Sequence, residues 1–232
     1  VLTDSTGDDI IEGGPGEDVI HGGRGLDMLI GGDDSDAIFH GADAAESMGG
    51  SGDDLQVGGA DTDALSGGPG QDWIEGGLAG DFLVGDERAA FALITGEDDV
   101  LIGEGGDDRY LAEGGMDIIM AGNGVDTSNG GLGFDFVSYD RAFTGVFADL
   151  SLPQIAVGAA VNPRERFSLV EGVAGSPFDD ELRGDDRIRL AGHELTQASM
   201  DKVLGLEAFL AEADMLGIPG AANMYTGDDI VL

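Results

Sequence analysis

The stretch GGPGEDVIHGGRGLDMLI (13–30) is one nine-residue pattern written twice, end to end. GGSGDDLQV (49–57) and GGPGQDWIE (67–75) fall in the same frame, which starts at Asp4 and runs to Ser138 as 15 nonads with no insertion or deletion in the count. Aspartate stands sixth in 13 of the 15, failing only at Ala45 and Ala90. Glycine stands first ten times, second ten times and fourth nine times, while the eighth residue is mostly Ile, Leu, Val or Tyr. A phase held over 135 residues is what stacked solenoid coils require.

Each place in the nonad has a physical task. Glycine permits the positive-φ and crowded turns that other residues resist, and the few residues around the eighth place are long enough for one short strand. A single nonad cannot bury its apolar side chain, so two make a coil of 18 residues and the coils stack at about 4.8 Å. The expected fold is an all-β parallel β-roll, a rod about 36 Å long at that spacing. Its thin core is Ile11, Ile20, Leu29, Ile38, Leu65, Ile74, Leu83, Leu101 and Ile119.

Composition narrows the function. With 47 acidic residues against 10 basic ones the net charge is −37, which disfavours nucleic acid and anionic membranes and makes cations necessary to a compact state. The hydrophobic share of 41% is too high, and too regularly spaced, for a disordered acidic chain. Without cysteine there are no disulfides, thiolate metal sites or cysteine nucleophile. No apolar run of about 18 residues is present to enter a membrane. The opening VLTDSTGDD has neither a basic start nor an apolar core, and it begins in mid-pattern, as a piece of a longer protein would.

The nonads resemble the RTX family, the glycine-rich repeats of proteins exported by type I secretion, whose GGxGxDxUx motif forms a calcium-binding β-helix. The resemblance implies several Ca2+ ions, each held between adjacent coils by sixth-place carboxylates and by carbonyls of the glycine turns. Oxygen-only ligation suits this hard cation. Carried onto this chain, the carboxylates are Asp9, Asp18, Asp27, Asp36, Asp54, Asp63, Asp72, Asp81, Asp99, Asp108, Asp117, Asp126 and Asp135. The turn glycines are Gly14, Gly16, Gly23, Gly25, Gly50, Gly52, Gly68 and Gly70. Partners are expected 18 residues apart: Asp9 with Asp27, Asp18 with Asp36, Asp36 with Asp54, Asp54 with Asp72, Asp63 with Asp81, Asp81 with Asp99, Asp99 with Asp117, Asp108 with Asp126 and Asp117 with Asp135. The gaps at Ala45 and Ala90 should fall on opposite edges of the roll. Asp34, Asp61 and Glu97 replace the fourth glycine, offering an oxygen while straining the turn. The resemblance also implies a secreted or cell-surface location, with the type I secretion apparatus and the rest of a parent polypeptide as partners.

From Tyr139 the frame is lost and the balance shifts to seven basic against 16 acidic residues, −9, leaving −28 on residues 1–138. The chain is thus expected to divide into a roll (1–138), a mixed β-plus-helix capping segment (139–225) and the start of a second repeat block at TGDDIVL (226–232), which copies TGDDIIE (6–12). FDFVSYDRAFTGVFADLSL (134–152) alternates as a half-buried strand pair does. FSLVEGVAGSPFDDELRGDD (167–186) looks like an extra coil closing the roll, with Asp180 in a repeat aspartate's place, and so a further expected metal carboxylate, and Leu182 two residues on. An amphipathic helix is expected over 193–217. LSLP, NPRERF, FDDELRGDD and HELT together resemble the regions flanking animal-type haem peroxidase domains in large bacterial RTX proteins, which implies such a domain elsewhere in the parent.

No catalytic or cofactor-binding set is expected in these residues. His21 and His40 fall at turn edges, where solvated side chains are expected, and with His193 they suggest neither a triad nor a zinc site. Trp73, seventh in its nonad, is expected on the outer face. The leading expectation is a calcium-binding region that folds outside the cell and supports export and stability of a larger protein. The alternative is a structural spacer or adhesin segment stiffened by calcium.

Overall fold

The computed structural model describes residues 1–4, 6–86, 96–150 and 165–183, and a strand at 230–231. The expected helix at 193–217 lies outside the described residues. Strands alternate between two parallel sheets. One contains, in order, β1 (Leu2–Thr3), β3 (Val19–Gly23), β5 (Ala37–Gly41), β7 (Leu55–Gly59), β9 (Trp73–Gly77), β11 (Val100–Glu104), β13 (Ile118–Met120), β15 (Phe136–Ser138), β18 (Gly172–Ala174) and β20 (Ile230–Val231). The other contains β2 (Ile10–Pro15), β4 (Asp27–Asp33), β6 (Ala45–Ser51), β8 (Ala64–Ser66), β10 (Phe82–Val84), β12 (Arg109–Gly114), β14 (Thr127–Leu132) and β17 (Arg166–Ser168). This is the parallel β-solenoid that the nonads predict.

Strand side chains alternate between faces, so of Val19, Ile20 and His21 only the middle one, eighth in its nonad, is fully buried. Ile20, Leu29, Ile38, Leu65, Ile74, Leu83, Leu101 and Ile119 are all at most 1% exposed, while Ile11, near the open end, is half-buried against the first of them. Ser47 and Gln56 occupy eighth places and are buried too. Ser47 Oγ donates to Gln56 Oε1, and Gln56 Nε2 donates to the Ser66 carbonyl at 2.7 Å. This polar pair separates a small apolar cluster of Ile20, Leu29 and Ile38 from a larger one reaching from Leu65 to Leu182.

The pairing overturns the ungapped frame at one place. Ile20 pairs with Ile38 and Leu65 with Leu83, the expected 18-residue step, but Ile74 pairs with Leu101 and Leu83 with Tyr110, a step of 27. Residues 85–86 and 96–99 therefore fill the places of one repeat turn. Gly85 takes the first place, since a Cβ there would overlap Asp99 Oδ2 as at other first places, and Asp86 follows. Gly96 to Asp99 supply the last four places, so 87–95 is an insertion. Being nine residues long, it leaves the frame intact in the sequence while the register of the described strands steps by one extra nonad.

Beyond Ser138, β17 pairs with β14 and β18 with β15, extending both sheets by one coil. β20 adds to β18 in repeat register, with Gly172 opposite Ile230 and Val173 opposite Val231. Two strands do form within 134–152, but not as a mutual pair. β15 joins the first sheet, whereas β16 (Phe147–Asp149) pairs with β19 (Glu181–Arg183) in a separate two-stranded sheet.

Candidate metal centres

Turns between strands build two edges. Turns 6–9, 22–27, 40–45, 58–63, 76–81, 103–108 and 121–126 stack on the first; turns 13–18, 31–36, 49–54, 67–72, 85–86 with 96–99, 112–117 and 130–135 stack on the second. Each sixth-place carboxylate accepts a hydrogen bond from the sixth-place backbone N–H of the preceding coil. On the second edge Asp18 N donates to Asp36 Oδ1 at 2.8 Å, and the ladder continues Asp36 to Asp54, Asp54 to Asp72, Asp72 to Asp99, Asp99 to Asp117 and Asp117 to Asp135, all within 3.0 Å. On the first edge Asp9 N donates to Asp27 Oδ1, Asp63 N to Asp81, Asp81 N to Asp108 and Asp108 N to Asp126. The expected neighbours Asp81 and Asp99 are thus on different edges. The insertion makes Asp72 the partner of Asp99 and Asp81 that of Asp108.

One carboxylate oxygen is used in the ladder, and the other is left over. Oδ2 of Asp9, Asp36, Asp54, Asp72, Asp81, Asp99, Asp117, Asp126 and Asp135 is buried with no hydrogen-bond partner, an arrangement that is costly for a carboxylate unless a cation completes it. These oxygens face a cradle kept open by glycine. A Cβ at Gly49 would overlap both Asp54 Oδ2 and the Gly67 carbonyl oxygen of the next coil, and one at Gly31 would overlap Asp36 Oδ2 and the Gly49 carbonyl. First-place glycine therefore leaves open a space on which a carboxylate and a carbonyl converge. The second- and fourth-place glycines do different work: Gly14, Gly16, Gly23, Gly25, Gly50, Gly52, Gly68 and Gly70 all have φ between 95° and 149°. Asp34, in a fourth place, is forced to φ 74°, the strain expected there. Among the described residues no three His, Asp or Glu side chains gather at one point, so an ion between two turns would take carboxylates together with backbone carbonyls.

Burial among like charges raises these carboxyls above the usual carboxylate range. Desolvation is the main cause throughout; a neighbouring aspartate of the row adds to it at Asp54, Asp72, Asp81 and Asp99, and Glu171 does so at Asp135. Asp54 is pushed up to about 6, Asp81 to about 7, Asp72 to about 8 and Asp99 to about 9. On the first edge Asp126 rises to about 8, with the Glu165 charge its second cause.

Several positions depart from the rule. At the Ala45 gap the first place is His40, not glycine. Loss of the sixth-place carboxylate makes room for its ring, which is buried, not solvated as expected. His40 Nδ1 lies 3.1 Å from Asp63 Oδ1, Ala45 N donates to the same oxygen at 2.8 Å, and Gly59 N donates to Asp63 Oδ2 at 2.8 Å. Both Asp63 carboxylate oxygens therefore have partners within the protein. The Tyr110 hydroxyl lies 3.3 Å from Asp108 Oδ2. Asp180 accepts Ser176 N at Oδ2, and Val146 N and Ser176 Oγ at Oδ1, which ties down its own turn. His21 stacks on Phe39, ring centroids 4.9 Å apart, and the half-buried Trp73 donates to Glu75 Oε1.

Two ladder members were not foreseen. Asp126 N donates to Glu165 Oε2 at 2.7 Å, and Asp135 N to Glu171 Oε2 at 3.0 Å, so glutamates continue both aspartate rows. Their spacing of 39 and 36 residues from the last aspartates, and their different side chain, kept them out of the nine-residue pattern.

The RTX calcium-binding nonapeptide repeat family matches the chain in four copies, at residues 3–38, 48–83, 95–119 and 102–137. The chain carries RTX calcium-binding repeats. The two stretches between the matches, 39–47 and 84–94, coincide with the His40 coil and the inserted turn. Comparison with curated proteins and with solved structures gave no match. The RTX array is a structural calcium-binding region, and the orphaned Oδ2 atoms and open glycine cradles of its turns suit a hard cation.

Proposed function

We propose that the RTX array is a calcium-operated folding switch serving export and stability of a larger secreted polypeptide. The observation that carries this reading is the row of buried carboxylates along each edge, where the neighbour of each side chain is another carboxylate. Without calcium, folding must either desolvate adjacent negative charges or hold protons on carboxyls that are ionised at neutral pH when solvated. In the extended chain those charges are hydrated, and the polypeptide stays open for passage through a type I secretion apparatus at low cytosolic calcium. Outside the cell, millimolar calcium binds sites that exist only when two coils are stacked, so its binding energy becomes folding energy. The tail's likeness to segments beside haem peroxidase domains makes such a domain our candidate for the cargo.

Circular dichroism tests the switch. The expected result is coil in chelator and β-structure on addition of millimolar calcium; a spectrum indifferent to calcium would sink this reading.

A further inference from the structure

The last coil departs from the repeat in a way that keeps its cradle. By register Ser168 takes the ninth place opposite Asn129 and Gly172 the seventh opposite Phe136, so the turn between them is only Leu169, Val170 and Glu171, where the nonads have six residues. Leu169 adopts φ 54°, in the left-handed region that leucine avoids. Its carbonyl then replaces a first-place glycine carbonyl: a Cβ at Gly130 would overlap both Asp135 Oδ2 and the Leu169 oxygen, the same pair of obstacles seen at Gly49 and Gly31. Glu171 supplies the carboxylate of the missing sixth place. Its extra methylene compensates for the shortened turn, so that Oε2 reaches the Asp135 amide at 3.0 Å, and the residue is only 6% exposed. Asp135 is fully buried and its Oδ2 has no partner.

We propose that Asp135, the Leu169 carbonyl and Glu171 form a further calcium site, outside the nine-residue pattern, that closes the second edge of the roll. It rests on the reading of the repeat turns as calcium sites and extends it to a coil that no family match reaches. All the contributed atoms are oxygens and two of the groups are carboxylates, the set a calcium ion takes. Leu169, at φ 54°, sits in the shortened turn and keeps its carbonyl at the cradle beside Asp135 Oδ2.

The test is native mass spectrometry of the full 232-residue chain saturated with calcium, comparing wild type with Glu171→Gln. Glutamine keeps the size and can still accept from the Asp135 amide, so the coil is retained while one ionised ligand is lost. The expected result is one calcium fewer, with the remaining ions held. Leu169→Gly, which keeps the carbonyl and relaxes the backbone, is expected to retain the wild-type number. An equal count in wild type and Glu171→Gln overturns the site; so does loss of the whole complement, which would make Glu171 only an anchor of the last coil. A wild type that binds no calcium at all would instead overturn the reading of the repeats themselves.

Discussion

The nonads 40–48 and 85–93 both lack the sixth-place aspartate, and the molecule deals with them in opposite ways. The first stays in the stack: Ala45 makes room, and the His40 ring moves against Asp63 where other coils leave a cradle open. At the second the described strands skip one nonad's length after Asp86, and the aspartate rows close across it as Asp72 with Asp99 and Asp81 with Asp108. A defect in a one-dimensional array can be plugged or skipped, since each coil need only satisfy its neighbours.

Deleting one nonad from each region separates the two solutions most sharply. Removal of 87–95 should leave both sheets and the calcium-dependent transition in place. Removal of 40–48 takes out an in-register turn and strand, exchanges the edges of every later coil and should abolish cooperative folding; similar calcium titrations by circular dichroism for the two deletions would break the comparison.

A smaller effect is expected from pH. The folded carboxyls are raised from the ordinary 3.8 to between about 6 and about 9 at Asp54, Asp72, Asp81 and Asp99. In that window the folded state holds protons that the unfolded chain has released, so the metal-free roll is least disfavoured below about pH 4 and loses stability as pH rises through 6 to 9. Far-ultraviolet dichroism of the calcium-free protein should therefore gain β-signal between pH 9 and pH 4. Loss of β-signal over the same range would contradict the burial of these groups.

The smallest effect is local. His40→Gly combined with Ala45→Asp restores the consensus at the plugged coil and should raise the calcium count by one or two ions, read by native mass spectrometry. An unchanged count would mean that His40 is not what closes the cradle.

Most of this fold was legible because first-, second- and fourth-place glycine and sixth-place aspartate each answer a constraint that repeats with every coil. Gly49 keeps a cradle clear, and Gly50, at φ 120°, lies against the backbone of the coil before it. What escaped the reading was whatever preserved the count while changing the path. The insertion after Asp86 is one period long, and its traces are Ile94 and Thr95 in the first two places, where glycine is the rule. Glu165 and Glu171 escaped for the converse reason, since the three-dimensional row continues where the sequence period has stopped. His40 read as a turn-edge residue because the room made by Ala45, five residues on, appears only when the turn is closed.

The Ser47–Gln56 pair has a consequence for how the rod comes apart. That coil is also the one with Ala45, so a single rung lacks both the apolar side chains that join neighbours through the core and the paired carboxylates that join them along the first edge. The roll is therefore two blocks in series, a short amino-terminal one and a long carboxy-terminal one, with a seam between them. Under load or on withdrawal of calcium, the short block should fray first, leaving the longer one as the template on which it rewinds.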